Sequence, residues 1–118
     1  MQNNRNFKYH DNILEITDGE NFKSVSFRYR IDEILYFENF CMVMIEPGIG
    51  QTLNENIYGV SIDGDILWQI APIPHAYARS SYTGMGKVGD KVKLSNWDGT
   101  DLIINPATGD ILEKSYSK

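Results

Sequence analysis

The sequence predicts an all-β fold, a single antiparallel meander domain over residues 1–118 with about 8–10 short strands and little helix. Three observations predict it. Apolar and polar residues alternate with a period of two, most clearly in residues 22–31 and 91–95. Asp-Gly dipeptides at 18–19, 63–64 and 98–99 punctuate the apolar runs, the residue pair that hairpin turns favour. No stretch sustains a helical period of 3.6; the expected exception is one turn near residues 31–35. The strands are expected to form a sandwich or an open barrel-like pair of sheets built from propeller-blade-like hairpins.

Taken in order, residues 13–17 form a strand and Asp18-Gly19-Glu20 a turn, because glycine accepts positive φ without steric cost. The return arm, residues 22–31, places Val25, Phe27, Tyr29 and Ile31 on one face and Ser24, Ser26, Arg28 and Arg30 on the other. Dense apolar runs at 34–37 and 40–45 flank Glu38-Asn39 and read as a second hairpin in the core. Pro47, two glycines and three polar residues at 54–56 mark a loop of about ten residues. Beyond it, residues 57–62, the Asp63-Gly64 turn and residues 65–70 make the clearest hairpin. Pro72 and Pro74 oppose both pairing and helix, so residues 71–79 read as an irregular loop before a short strand around Tyr82. The last 28 residues read as three meandering strands joined at Asp98-Gly99 and at 105–109, with Lys91, Lys93 and Asp101 protecting edges.

Sixteen acids against eleven Lys and Arg give a net charge of −5, which opposes indiscriminate binding to nucleic-acid backbones. No apolar run approaches the roughly 20 residues of a membrane span, and no secretory leader follows Met1, so the expected location is the cytoplasm. Cys41 is the only cysteine, which excludes an intramolecular disulfide and a multi-cysteine zinc site. Charge position says more than charge sum. Residues 31–78 contain no Lys or Arg and carry −7, from Asp32, Glu33, Glu38, Glu46, Glu55, Asp63 and Asp65. The flanking segments carry +1 each. If these acids share a face, they steer a basic protein partner toward it.

Gly19, Gly64 and Gly109 are spaced by 45 residues, and Gly-Asp-Ile-Leu occurs at both 64–67 and 109–112. The hairpin at 57–68, with its Asp-Gly turn and closing Trp68, resembles the repeat of quinoprotein-type (PQQ-like) β-propellers, and residues 105–112 resemble the same unit. That resemblance implies four-stranded blades. A closed propeller needs at least about 4 of them, and 118 residues hold fewer than three 45-residue units. Residues 67–70 together with 97–114 are also similar to small bacterial proteins associated with toxin immunity.

Candidate chemistry is sparse. Residues 84–89 match G-x-G-x-x-G, but a strand follows where a dinucleotide fold places a helix, so the glycines read as a mobile loop and no cofactor is expected. Cys41 lies in an apolar run and reads as a buried small hydrophobe. His10 and His75 lack companions at metal-ligand spacing, and Asp63-Gly64-Asp65 lacks the remaining oxygens of a calcium loop; no metal site and no catalytic group are expected. Trp68, Tyr77 and Tyr82, with His75 and Arg79, have the composition of a binding hot spot. The expected function is therefore a non-catalytic protein-binding module in which the seven central acids plus Trp68, Tyr77 and Tyr82 meet a basic partner. A toxin nuclease neutralised by an immunity protein is one instance. The alternative is a small-ligand domain or an oligomerising propeller-like fragment.

Overall fold

Each sheet grows from hairpins whose strands carry the alternation described above. The structure, a computed structural model, describes residues 6–116. Eleven strands follow one another in chain order, each antiparallel to its neighbour in the sheet. The first sheet holds β1 (Phe7–His10), β2 (Ile13–Asp18) and β3 (Asn21–Ser26). The second holds β4 (Arg30–Tyr36), β5 (Phe40–Glu46), β6 (Ile57–Ser61) and β7 (Ile66–Gln69). The third holds β8 (Tyr82–Val88), β9 (Lys91–Asn96), β10 (Thr100–Ile104) and β11 (Ile111–Tyr116).

The sheets stack in three layers with a core in each gap. Phe7, Leu14, Ile16 and Phe27 meet Ile31, Ile34, Cys41, Val43, Ile45 and Val60 between the first two sheets. Met42, Met44, Ile57 and Ile70 meet Tyr82, Met85, Val92, Leu94, Leu102 and Ile104 between the second and third. Strand β5 serves both cores, its odd residues on one side and its even residues on the other. A strand covered on both faces has no solvent side, which is why residues 40–45 form an unbroken apolar run. Each of its buried Met, Val and Ile side chains is worth about 1.5–3 kcal/mol. The outer sheets keep one wet face: in β9, Val92 and Leu94 are buried while Lys93 is exposed.

Strand β4 lies against both β1 and β8, whereas β3, β7 and β11 are exposed far edges, so the sheets fan out from a common side. The 45-residue spacing acquires a structural basis here. Gly19, Gly64 and Gly109 each sit in the turn just before the outermost strand of their sheet, with φ of 63°, 87° and 78°. Only glycine enters that left-handed region freely.

Several expectations are corrected. Residues 31–35 are strand, not a helical turn: Ile31 pairs with Ile45 and Glu33 with Met44, leaving Asp32 as the extra residue of a bulge. Residues 22–31 are not one strand, because the chain crosses from the first sheet to the second at 27–29; Val25, Phe27, Tyr29 and Ile31 nonetheless all join the first core. Phe7–His10 is an additional strand, paired with β2. The glycine-rich segment is no mobile loop. Gly84 and Gly86 lie within β8 opposite Ser95 and Lys93, and only Gly89 turns. Lys91, Lys93 and Asp101 stand on interior strands, where Lys93 reaches Asp101 at 3.8 Å.

Candidate functional site

Antiparallel pairing sends the connections alternately to two ends of the molecule. The tight turns after β2, β4, β6, β8 and β10 gather at one end, here the turn end. The connections after β1, β3, β5, β7 and β9, including the long loops 47–56 and 70–81, gather at the other, the loop end. Cross-sheet bonds show that the three sheets share this orientation. Lys23 Nζ donates to the Asp63 carbonyl at 2.8 Å, and Lys87 Nζ donates to the Tyr36 carbonyl while lying 4.3 Å from the centre of the Phe37 ring.

The seven central acids do not share one face. Glu38, Asp63 and Asp65 lie at the turn end, Glu46 and Glu55 at the loop end, and Asp32 and Glu33 on the adjoining half of β4. The seven residues of β5 alone separate those ends by roughly 20 Å. Glu46 is bonded to Arg30, whose guanidinium is in turn raised in pKa by that carboxylate. Glu33 is half-buried; burial and the neighbouring Asp32 push its pKa up, and the Met85 N–H holds it back. The turn end collects acids from elsewhere in the chain as well: Asp18, Glu20, Asp90 and Asp110 join Glu38, Asp63 and Asp65, all exposed, against Lys23, Lys87 and Lys91.

The three aromatic candidates separate too. Trp68 is a bridge between sheets: its indole N–H donates to the Pro106 carbonyl at 3.0 Å, and its ring lies against Gly59 and Gly109, where a Cβ would come within 2.3 and 2.5 Å. Tyr82 is 3% exposed within the second core. Tyr77 alone is open, at 54%.

The loop end rests on a buried polar scaffold. Asn56 Nδ2 donates to the carbonyls of Ile45 and Tyr82, both at 2.9 Å, and its Oδ1 accepts the Tyr82 N–H at 2.8 Å. Asn54 Oδ1 accepts the Ser80 N–H at 2.8 Å, and Asn96 Nδ2 donates to the Ser80 carbonyl at 2.8 Å. His75 Nδ1 lies 2.9 Å from Asp98 Oδ2, with side chains only 6% and 1% exposed. Burial opposes charge on Asp98, but the Thr100 N–H, His75 and the Ala76 N–H outweigh it and hold the carboxyl at a pKa of about 2. These side chains tie loops 47–56 and 70–81 to the β9–β10 turn. In the sequence Asp98 shows only as a turn residue. Its bond to the N–H two residues on is that local signal, while its partner 23 residues away has none.

On this scaffold the loop end displays apolar groups to solvent. Ile49 is fully exposed at the tip of a turn closed by the Gln51 N–H on the Gly48 carbonyl at 2.9 Å. Trp97 is 63% exposed. Two shallow grooves of about 480 and 370 Å³ both border Glu46, Pro47 and Gly48; the first is lined by Asp11, Arg28 and Arg30 as well, the second by Arg79 and Trp97. Arg28 lies over the Tyr29 ring at 5.2 Å. Among the described residues, neither Arg28 nor Arg79 has a carboxylate partner. Elsewhere, burial pushes the Cys41 thiol up to about 12, which keeps it protonated, and His10 lies 3.6 Å from Glu15.

A family model described as "Domain of unknown function (DUF7957)" matches residues 4–116. No curated protein matches the chain. Among solved structures, the crystal structure of the computationally designed Ika8 protein is similar at a TM-score of 0.59 and 12% identity, over 95% of this chain and 36% of that one. The likeness is one of fold, and the chain spans little more than a third of that protein's length.

Proposed function

The chain belongs to the family described as a domain of unknown function (DUF7957), and from its own surface we propose that it is a non-catalytic protein-binding module whose loop end makes the contact. One observation carries this reading: Ile49, Tyr77 and Trp97 are each exposed at the loop end, on three connections that buried hydrogen bonds tie to one another. Leaving an isoleucine in water forgoes roughly 1.5–3 kcal/mol of burial, which a partner pocket restores. Large rigid apolar side chains on pre-ordered loops are the usual anchors of protein interfaces.

A second reading places the contact at the turn end, where seven exposed carboxylates face three lysines. Such a field accelerates encounter with a basic protein, a toxin nuclease among the candidates. One capture experiment from extracts of the source cells separates the two. The loop-end reading expects a defined partner to be lost with the paired substitutions Ile49→Asp and Trp97→Ala and kept with Asp63→Lys and Asp65→Lys. The opposite pattern, with elution by salt, transfers the contact to the turn end.

A further inference from the structure

We propose that Asp18-Gly19 is a modification site, where the backbone isomerises without an enzyme to isoaspartate, and that the fold shields the other two Asp-Gly pairs, 63–64 and 98–99, from the same reaction. The glycine nitrogen gives up its proton and attacks Cγ of the protonated aspartic acid, and one water leaves as a five-membered succinimide closes. Water then adds to the ring at either carbonyl, restoring aspartate or routing the main chain through the side-chain carboxyl carbon, with no net change of mass. Glycine favours closure because no Cβ covers its nitrogen. The reaction needs a free glycine N–H, an accessible carboxyl and a peptide plane able to swing. At 98–99 all three are denied. The Asp98 side chain is 1% exposed, its carboxyl accepts the Thr100 N–H at 2.9 Å and lies 2.9 Å from His75, and the Gly99 N–H donates to the Asn96 carbonyl at 3.0 Å. At 63–64 the carboxyl is exposed but the backbone is held. The Gly64 N–H donates to the Ser61 carbonyl at 3.0 Å, Ser61 Oγ accepts the Asp63 and Asp65 N–H groups at 3.2 Å, and Lys23 Nζ donates to the Asp63 carbonyl at 2.8 Å. At 18–19 no such restraint exists among the described residues. Asp18 and Gly19 are exposed, neither the Gly19 N–H nor the Asp18 carboxylate has a partner there, and a Cβ on Gly19 would meet nothing within 4 Å. Asp18 pairs with Asn21 on the last rung of the β2–β3 ladder, so swinging its peptide plane disturbs one terminal pair, where local opening is easiest.

The test ages the full chain near neutral pH for several weeks, once folded and once in urea. Trypsin then places the three pairs on separate peptides, 9–23, 31–79 and 94–114. Isoaspartate in each is read by methyl transfer from S-adenosylmethionine with an isoaspartyl methyltransferase and located by electron-transfer fragmentation. The folded chain is expected to gain isoaspartate in 9–23 about tenfold faster, or more, than in the other two peptides, and the unfolded chain in all three at similar rates. Asp18→Glu, whose closure requires a larger ring, abolishes the signal in 9–23 and so separates Asp18-Gly19 from Asp11-Asn12 in the same peptide. Three results overturn the proposal: isomerisation of the folded chain at 63–64 or 98–99 as fast as at 18–19, an undiminished signal in 9–23 of Asp18→Glu, or no isoaspartate in the folded chain while the unfolded chain forms it.

Discussion

Asn56 is the residue on which the loop end depends most. Its side chain joins the end of β5 to the start of β8 through three bonds to backbone groups, all buried. Asn56→Ala strands those groups without water, and a stability loss of about 3 kcal/mol is expected from denaturant titration. Tyr82 makes the opposite case. Its hydroxyl is buried and has no hydrogen-bond partner among the described residues, and burial pushes its pKa up. Tyr82→Phe removes an unsatisfied group at no cost in shape, so stability is expected to hold or to rise by up to about 1 kcal/mol. Asp98 ties stability to pH. Its folded pKa of about 2 lies below the ordinary 3.8, so its contribution is complete above about pH 4 and is lost as pH falls toward 2. Unfolding of wild type and Asp98→Asn across that range should show their difference narrowing with falling pH. A constant difference would show that Asp98 acts through shape alone.

At the scale of elements, the three glycines at 45-residue spacing occupy equivalent turns yet carry different loads. Gly19 has open space around it, whereas a Cβ on Gly109 meets the Trp68 ring at 2.5 Å. Gly19→Ala is therefore expected to cost about 1 kcal/mol, the strain of its positive φ alone. Gly109→Ala adds overpacking against Trp68 and is expected to cost about 3 kcal/mol, with a change in tryptophan emission as the bridge between sheets loosens. Equal costs would deny Trp68 that role. The hairpins were legible wherever turn chemistry and alternation were local, as at Asp63-Gly64 and Asp98-Gly99. What the sequence hid was decided by distant partners. The break at 27–29 and the strand at 30–36 depend on which sheet each side of the chain joins. The apolar run of β5 reads equally well as the core of a sandwich, and only the third layer shows that both its faces are covered.

At the scale of the whole molecule, the outward faces of the first and third sheets decide whether copies associate. They carry Lys8, Glu15 and Ser24 beside Phe22 on one side and Lys93, Asp101 and Glu113 beside Ile103 on the other, and burying their charged groups without partners is costly. Native mass spectrometry is expected to find a monomer; a closed ring of copies would show that these faces pair. The site was less legible than the fold. The block free of Lys and Arg suggested one acidic surface, but the meander deals alternate turns to opposite ends and divides its acids between them. Tyr77 and Arg79 were visible as a loop of binding composition. Ile49 and Trp97 carry no such signal, because exposure at a turn tip has no signature in residue type. The contact surface is tested most directly by site-specific photo-crosslinking in the source cells, with the reactive side chain placed in turn at positions 49, 97, 63 and 110. A covalent adduct with one protein from positions 49 and 97, and none from 63 and 110, is the predicted result; adducts from 63 and 110 alone would contradict it.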